Sequence, residues 1–504
     1  MVEVVLLPLP TVAGPYQDCP RWGAAHDAVG YATDWRVLAF PADPSHSALQ
    51  PHGVRASAAI GDWSYLTDGS FGRTLALPRD PDGWSTAWIE HEFTDPVTVR
   101  SVVVGLPGPR RTRAASFPAV TARRFRLVVS AASAADALPP VADGVRRPPV
   151  LRSVDTFEVS EFALRASGRV HRAEAKAGFG VVADYLAVPT DPRVDVGSLD
   201  PITVVDVSDH VRDGVLHWDA PPGDWTVLRL GASLTGQANG PAPADATGLE
   251  VDKLDGERVR AYLDTHLRRF AIPDRDTSQT STPRFAALLS DSIEAGPQNW
   301  TEAILDHFAR RRGYDAGPWL LALAGYLVGG PSESDRFLYD YRRTIAELLS
   351  DEYYGTLTAE AHRRGMAYYA EALEDGRPQL GDDLAMRSHA DVPMGAMWTF
   401  DAERGPQPTH VADLKGASSV AHVHGKSWVG AEAFTSFDRP WASTPRTLKH
   451  VADLQLTLGV TRFCIHTSPH QPITAPPPGI ALAPSATTAP SSTRRTSARA
   501  SGPT

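Results

Sequence analysis

The sequence predicts an α/β plus β fold, in which a β-rich, sandwich-like region precedes part of a (β/α)8, TIM-type barrel. Before residue 230 the apolar residues form short runs separated by Gly, Pro and Asp, with almost no helical periodicity, which is typical of antiparallel sheets. After residue 285 apolar runs of strand length alternate with stretches of helical spacing. Such alternation is typical of parallel strands that are joined by crossover helices.

The first half of the chain is predicted to contain two β-rich regions. Residues 1–155 form the sandwich-like region, with strands at about 2–7, 35–40, 87–93, 97–106 and 124–129. Residues 156–280 are a β-rich linker or insertion that leads into the barrel, with strands at about 157–164, 180–188, 202–207 and 225–230 and then a helix around Val259 and Leu263.

Residues 281–472 are predicted to form the carboxyl-terminal half of the barrel. Strands are expected at about 285–289, 367–371, 387–392, 426–432 and 460–466, and helices at 334–364, 409–422 and 444–457. Gly365 is expected to end the longest helix. Five strands are too few to close an eight-stranded barrel. The tail, 473–504, has neither acidic nor aromatic residues, and its composition predicts disorder.

Composition excludes several classes of protein. The net charge of -10 over 504 residues argues against a general nucleic-acid binder, which needs a basic face. No uninterrupted apolar stretch is long enough to span a membrane. The apolar run at 2–9 lacks the basic segment and cleavage site of a signal peptide, so the sequence as it stands predicts a cytoplasmic protein.

Carboxylates follow three of the predicted strands. Asp291 and Glu294 follow the strand at 285–289, Glu371 ends the strand at 367–371, and Glu432 ends the strand at 426–432. Function in α/β proteins sits where strands end and loops begin. Glycoside hydrolysis needs one carboxylic acid for the leaving oxygen and a second carboxylate for the water or the sugar, which Glu294 and Glu432 could supply. The alternative is that Asp291 and Glu294 cap the following helix.

Other residues near these strand ends are candidates for contacts with a sugar or a metal. Trp300 and Trp398 could stack on a pyranose ring, although each alone is more often a core residue. His466 and His470 are four residues apart but straddle Pro469, which favours sugar contacts over a zinc site. Calcium is chemically plausible beside the acidic loops, and the spacing does not name its ligands.

Several ordered motifs resemble the α-L-rhamnosidases of glycoside hydrolase family 106. They are Asp-Ser-Ile-Glu-Ala-Gly-Pro-Gln-Asn-Trp-Thr at 291–301, Phe-Ala-Arg-Arg-Arg-Gly-Tyr-Asp at 308–315, Asp-Arg-Phe-Leu-Tyr-Asp-Tyr-Arg-Arg-Thr at 335–344, Ala-Asp-Val-Pro-Met-Gly at 390–395, Val-Gly-Ala-Glu-Ala-Phe-Thr-Ser at 429–436 and His-Thr-Ser-Pro-His-Gln-Pro at 466–472. The resemblance extends from about residue 180 to residue 472 and is loose before residue 150.

The resemblance implies a calcium-assisted, inverting α-L-rhamnosidase with a (β/α)8 barrel and a β-sandwich of galactose-binding-like type. It implies that Glu294 is the general acid, that Glu432 is the general base, and that Asp291 is an essential neighbour. Glu371 is implied as a substrate or calcium ligand. The same motifs suggest Asn299, Trp300, Asp391, His466 and His470 as contacts for a rhamnose-containing glycan or glycoside.

The sequence departs from the family pattern at both ends. The family leads us to expect further strand-helix units before the sandwich-like region and an aromatic-rich continuation after about residue 484. We therefore expect a chain truncated at both ends, with a reading-frame shift near Pro484; a natural disordered tail is the alternative. Two other functions stay open: a carbohydrate-binding remnant with impaired catalysis, and a retaining glycosidase of another barrel family.

Overall fold

The computed structural model describes residues 2–6, 32–69, 73–78, 86–106, 112–130, 156–179, 185–239, 248–270, 285–293, 298–372, 380–436, 443–466 and 487–488. Twelve strands precede residue 240 in these ranges. In chain order they are β1 (Val2–Val5), β2 (Ala32–Pro41), β3 (Gly53–Ala56), β4 (Leu75–Pro78), β5 (Thr86–Gly105), β6 (Thr112–Ser130), β7 (Thr156–Val159), β8 (Glu161–Arg165), β9 (Val205–Asp206), β10 (Val211–Arg212), β11 (Val215–Trp218) and β12 (Trp225–Ser233).

These strands pair antiparallel in four sheets. The largest has the order β3-β5-β6, with β8 also paired to β5. The other three have the orders β12-β2-β9, β1-β11-β10 and β4-β7. Leu66, Leu77, Ile89, Val99 and Phe162 are buried in one cluster beside the largest sheet, so this region has a core of its own. The prediction of a β-rich first half is confirmed.

A five-stranded parallel sheet forms the second half. Its strands are β13 (Ala287–Ser290), β14 (Ala367–Ala370), β15 (Val392–Met397), β16 (Gly430–Ala433) and β18 (Arg462–Ile465), in the order β13-β14-β15-β16-β18. A short strand, β17 (Thr435–Ser436), pairs antiparallel with β19 (Thr487–Thr488). The predicted half-barrel of parallel strands is confirmed.

Helices lie before and between these strands. They are α1 (Ala173–Lys176), α2 (Gly256–Arg269), α3 (Ile304–Arg312), α4 (Pro331–Leu348), α5 (Thr356–Arg363), α6 (Asp383–Ser388), α7 (Pro408–Val423) and α8 (Pro445–Thr457). No helix of the described residues is long and apolar enough to cross a membrane. The apolar stripe of α4 enters the main core through Phe337, Leu338, Tyr341 and Ile345, as its helical spacing predicts.

Several element predictions need correction. The strand expected at 387–392 is displaced, because the Asp382 side chain accepts from the Ala385 backbone N–H and caps a helix there, and β15 begins only at Val392. The helix expected at 334–364 is interrupted by a π-helical segment at Leu349–Gly355. Tyr185–Ala187, within the strand expected at 180–188, is a 3₁₀ helix.

The parallel sheet is divided between β14 and β15. These strands share only two pairs in register, Tyr369 with Val392 and Ala370 with Pro393. The ladder between β13 and β14 continues past this point, since the Glu371 N–H donates to the Ser290 carbonyl oxygen at 3.2 Å. The sheet therefore consists of two half-sheets, β13-β14 and β15-β16-β18, which part toward their carboxyl ends.

Candidate active site

Four ionisable side chains come from the carboxyl ends of four strands. Asp291 follows β13, Glu371 follows β14, Glu432 lies in β16, and His466 follows β18. Parallel strands carry their carboxyl ends on one edge of the sheet, so residues far apart in sequence meet there. Glu371 and Glu432 are only 5% and 9% exposed, whereas Asp291 is exposed.

Hydrogen bonds fix the carboxylate of Glu432. Its Oε1 accepts from Trp398 Nε1 at 3.0 Å and from the Thr435 hydroxyl at 2.8 Å, and His466 Nδ1 lies 3.3 Å away. Thr435 Oγ1 is also 2.8 Å from His466 Nδ1. Because the hydroxyl has one proton and donates it to Glu432, Nδ1 must carry the proton in this contact. The network orients one oxygen of Glu432 and holds the imidazole ring of His466 beside it.

The two buried glutamates influence each other's ionisation. Burial, and then the carboxylates of Asp291 and Glu432, raise the pKa of Glu371 well above its ordinary value. Burial also raises the pKa of Glu432, against the lowering effect of His466, Thr435 and Trp398. Among the described residues, no lysine or arginine forms an ion pair with either glutamate. The site therefore brings several carboxylates together, and a proton or a bound cation would reduce the repulsion between their charges.

One group of ligand atoms in the described ranges has the geometry for a metal ion. One atom each from Asp291, Glu432 and His466 lie within 4.8 Å of one another. The two carboxylates, together with the nearby Glu371, match the oxygen preference of calcium. The imidazole nitrogen is a ligand type that zinc prefers.

The remaining predicted site residues lie elsewhere or outside the described residues. Glu294 and His470 belong to the latter group. Trp300 packs edge-on against Trp35 with ring centroids 6.4 Å apart, beside the main core. Asn299 Nδ2 donates to the Ala177 carbonyl oxygen at 3.0 Å. The observed contacts of Trp300 and Asn299 thus tie the loop after β13 to the core.

Asp391 lies just before the first residue of β15. A strand at 387–392 would have placed it near a carboxyl end, but β15 begins at Val392, so Asp391 lies at the amino end, on the opposite edge of the sheet. Its Oδ2 accepts from the Tyr368 N–H at 2.8 Å and contacts His362 Nε2 at 2.8 Å. These contacts hold Asp391 between α5 and β14.

Thr435, Arg387 and Asp413 are parts of the site that sequence reasoning missed. Thr435 stands three residues after Glu432, but nothing in the sequence identifies it as the donor to that carboxylate. Arg387 and Asp413 lie on α6 and α7, and their electrostatic influence reaches Glu371. In the sequence, charged helix residues of this kind cannot be told from ordinary surface charges, because only the packing of the helices shows that they are buried.

Carboxylates that meet at the carboxyl edge of a parallel half-barrel are an arrangement that glycoside hydrolases use. The model of one glycoside hydrolase family, 106, described as alpha-L-rhamnosidase, matches residues 2–496, and the chain belongs to this family.

Two known proteins are similar to the chain. A solved rhamnosidase from Novosphingobium sp. PP1Y is 38% identical with a TM-score of 0.76, and the match covers 94% of this chain and 46% of that one. A protein of Formosa agariphila, provisionally named a beta-glucuronidase, is 35% identical over 282 residues, which are 55% of this chain and 23% of the relative. The chain thus spans less than half the length of each of these two proteins.

Proposed function

We propose that this chain hydrolyses terminal α-L-rhamnosides of glycans or glycosides with inversion of configuration. The observation that carries the proposal is the convergence of Asp291, Glu371, Glu432 and His466 at one edge of the parallel sheet, in a chain of the α-L-rhamnosidase family. Burial and carboxylate neighbours are the arrangement by which enzymes tune one acid and one base in the same site.

Glu432 is the proposed general base. Trp398 and Thr435 donate to its Oε1 and His466 Nδ1 lies 3.3 Å from this atom, which leaves the other oxygen to accept a proton from water. A carboxylate that is oriented in this way meets the geometric requirement for proton abstraction. A general base of this kind contributes about 10²- to 10⁴-fold to the rate.

Glu294 is the proposed general acid. An inverting pair needs about 6.5 to 9.5 Å between its carboxyl groups to hold a water. One oxygen of Asp291 lies within 4.8 Å of one oxygen of Glu432, so we propose Asp291 as a neighbour of the base and not as the acid. If Glu294 is the acid, Glu294→Gln loses most activity on substrates with poor leaving groups, whereas equal loss on good and poor leaving groups would remove it from this role.

Calcium is the proposed cofactor. Asp291 and Glu371 would hold it, because the described site gathers carboxylates without a paired lysine or arginine. When bound, the ion would neutralise the site and orient sugar hydroxyl groups. The residues themselves would place the glycosidic oxygen between the acid and the base. His466 would then contact substrate or Glu432 and not the metal.

Hydrolysis of aryl glycosides tests this function. We expect the chain to release the aryl group from an α-L-rhamnoside and not from a β-glucuronide, the substrate named for the Formosa relative. Glu432→Gln should lower kcat by about 10²- to 10⁴-fold without lowering Tm, because glutamine keeps the shape and the acceptor. A folded chain that binds rhamnose but turns over neither glycoside would favour the carbohydrate-binding alternative.

A further inference from the structure

The division between the two half-sheets is filled by charged side chains from the helices. The β14-β15 ladder ends at the pair of Ala370 and Pro393. The next main-chain groups of β15 bond to side chains. Arg387 donates to the Met394 carbonyl oxygen, and the Ala396 N–H donates to Asp413 Oδ2.

Arg387 and Asp413 form a buried pair. Arg387 donates to Asp413 Oδ1, and its Nε donates to Asp383 at 2.9 Å. The Arg387 side chain is 1% exposed and that of Asp413 is 6% exposed. Gly395 permits this approach, since a Cβ at that position would lie 2.9 Å from Asp413 Oδ2. A buried ion pair of this kind is weak evidence for stability, so its position calls for another explanation.

The pair stands between the two halves of the site. Glu371 follows β14 in one half-sheet, and Glu432 pairs in register with Ala396 in the other. Without Arg387 and Asp413, the Met394 carbonyl oxygen and the Ala396 N–H would lose their hydrogen-bond partners. We expect them to form hydrogen bonds with the edge of β14 beside Glu371 instead.

We propose that Arg387 and Asp413 are positioning residues that hold β14 and β15 apart, and so set the separation between the Glu371 and Glu432 side chains. This proposal rests on the proposed function only for its kinetic readout. The pair acts through the main-chain groups of β15 to which it is hydrogen-bonded.

Kinetics with a matched control form the first test. We expect Arg387→Lys and Asp413→Asn each to lower kcat on an aryl α-L-rhamnoside by about 10- to 100-fold, with KM changed less than threefold, because displacement of reacting groups by about 1 Å has effects of this size. Asparagine keeps an acceptor for the Ala396 N–H, so this variant is expected to fold. Arg364→Lys is the control, since Arg364 is also 1% exposed and pairs with Glu360 at 2.6 Å, before the amino end of β14.

The control should match the loss of Tm and keep kcat within about threefold. Equal kcat for the three variants, or losses of kcat that follow the losses of Tm in all of them, would overturn the proposal.

The second test does not depend on activity. In a crystal structure of Arg387→Met/Asp413→Leu, the β14-β15 ladder should extend past Ala370 and Pro393. An unchanged ladder and an unchanged distance between Glu371 and Glu432 would overturn it. If the wild-type chain is inactive but the ladder extends in the variant, the proposed function is refuted and the positioning role of the pair is not.

Discussion

Glu161 in the antiparallel region and Glu371 in the parallel sheet are both buried, yet their surroundings differ. Glu161 is 1% exposed, receives a hydrogen bond from the Gly69 N–H, and has one oxygen without a hydrogen-bond partner among the described residues. Burial raises its pKa to about 8, and Arg165 lowers it. Glu371 is 5% exposed, and Asp291 and Glu432 add to the effect of burial.

This difference separates the effect of burial on a carboxyl group from the effect of other carboxylates close to it. Burial alone raises the pKa of a carboxyl group wherever the fold covers it. Around Glu371, by contrast, carboxylates from the ends of three separate strands meet at the edge of the sheet. We infer that convergence, and not a shifted pKa, distinguishes the candidate active site from an ordinary buried acid.

The largest expected effect is on activity. Glu371→Gln should lower kcat/KM on an aryl α-L-rhamnoside by at least about 100-fold, since it removes a buried carboxylate from the proposed site. Glu161→Gln, the matched control, should change kcat/KM less than about twofold. Comparable losses in both variants would break the comparison, because burial would then explain the effect of either residue.

A metal chelator should distinguish the same two residues. We expect EDTA to lower both activity and Tm, and calcium to restore them better than magnesium, because an irregular cage of oxygen atoms suits the larger ion. Calcium should raise the Tm of Glu161→Gln as it does that of the wild type, but not that of Glu371→Gln. Restoration by zinc in place of calcium would assign the metal to His466.

The smallest expected effect is on stability against pH. Glu161 stays protonated in the folded protein up to about pH 8, whereas the unfolded chain releases this proton near the ordinary value of 4.5. The unfolded state therefore binds fewer protons in this window, and stability falls as pH rises from about 4.5 to about 8. Glu161→Gln should flatten this fall, by on the order of a few kcal/mol. Unfolding in urea at pH 5 and pH 8 measures the difference, and parallel profiles for the two proteins would refute it.

The sequence predicted the parts of the fold that depend on local pattern. Four of the five parallel strands were expected where they occur, because each is an apolar run bounded by polar or glycine residues, and Gly365 ends its helix with φ of +71°. The strand at 392–397 was misplaced because Asp382 starts a helix in front of it. That displacement also explains why Asp391 lies on the edge opposite the carboxylates.

The candidate site was predictable only in part. Asp291, Glu371, Glu432 and His466 follow recognisable strand ends, so their convergence could be expected from a parallel sheet. The bonds from Thr435 to Glu432 and from Asp413 to the backbone of β15 could not, since they depend on how turns and helices pack across the sheet. Residues of this kind carry no sequence signal beyond an ordinary polar side chain.

The configuration of the first-formed sugar tests the central claim most directly. The proposed function requires a water between Glu432 and a separate acid, so the hydroxyl must enter on the face opposite the leaving group. We expect ¹H NMR during hydrolysis of an aryl α-L-rhamnoside to show the β-anomer of L-rhamnose first, with the α-anomer appearing only by mutarotation. Initial release of the α-anomer would contradict the account and would favour a covalent mechanism through a closer pair of carboxylates, such as Asp291 and Glu432, which have one oxygen each within 4.8 Å.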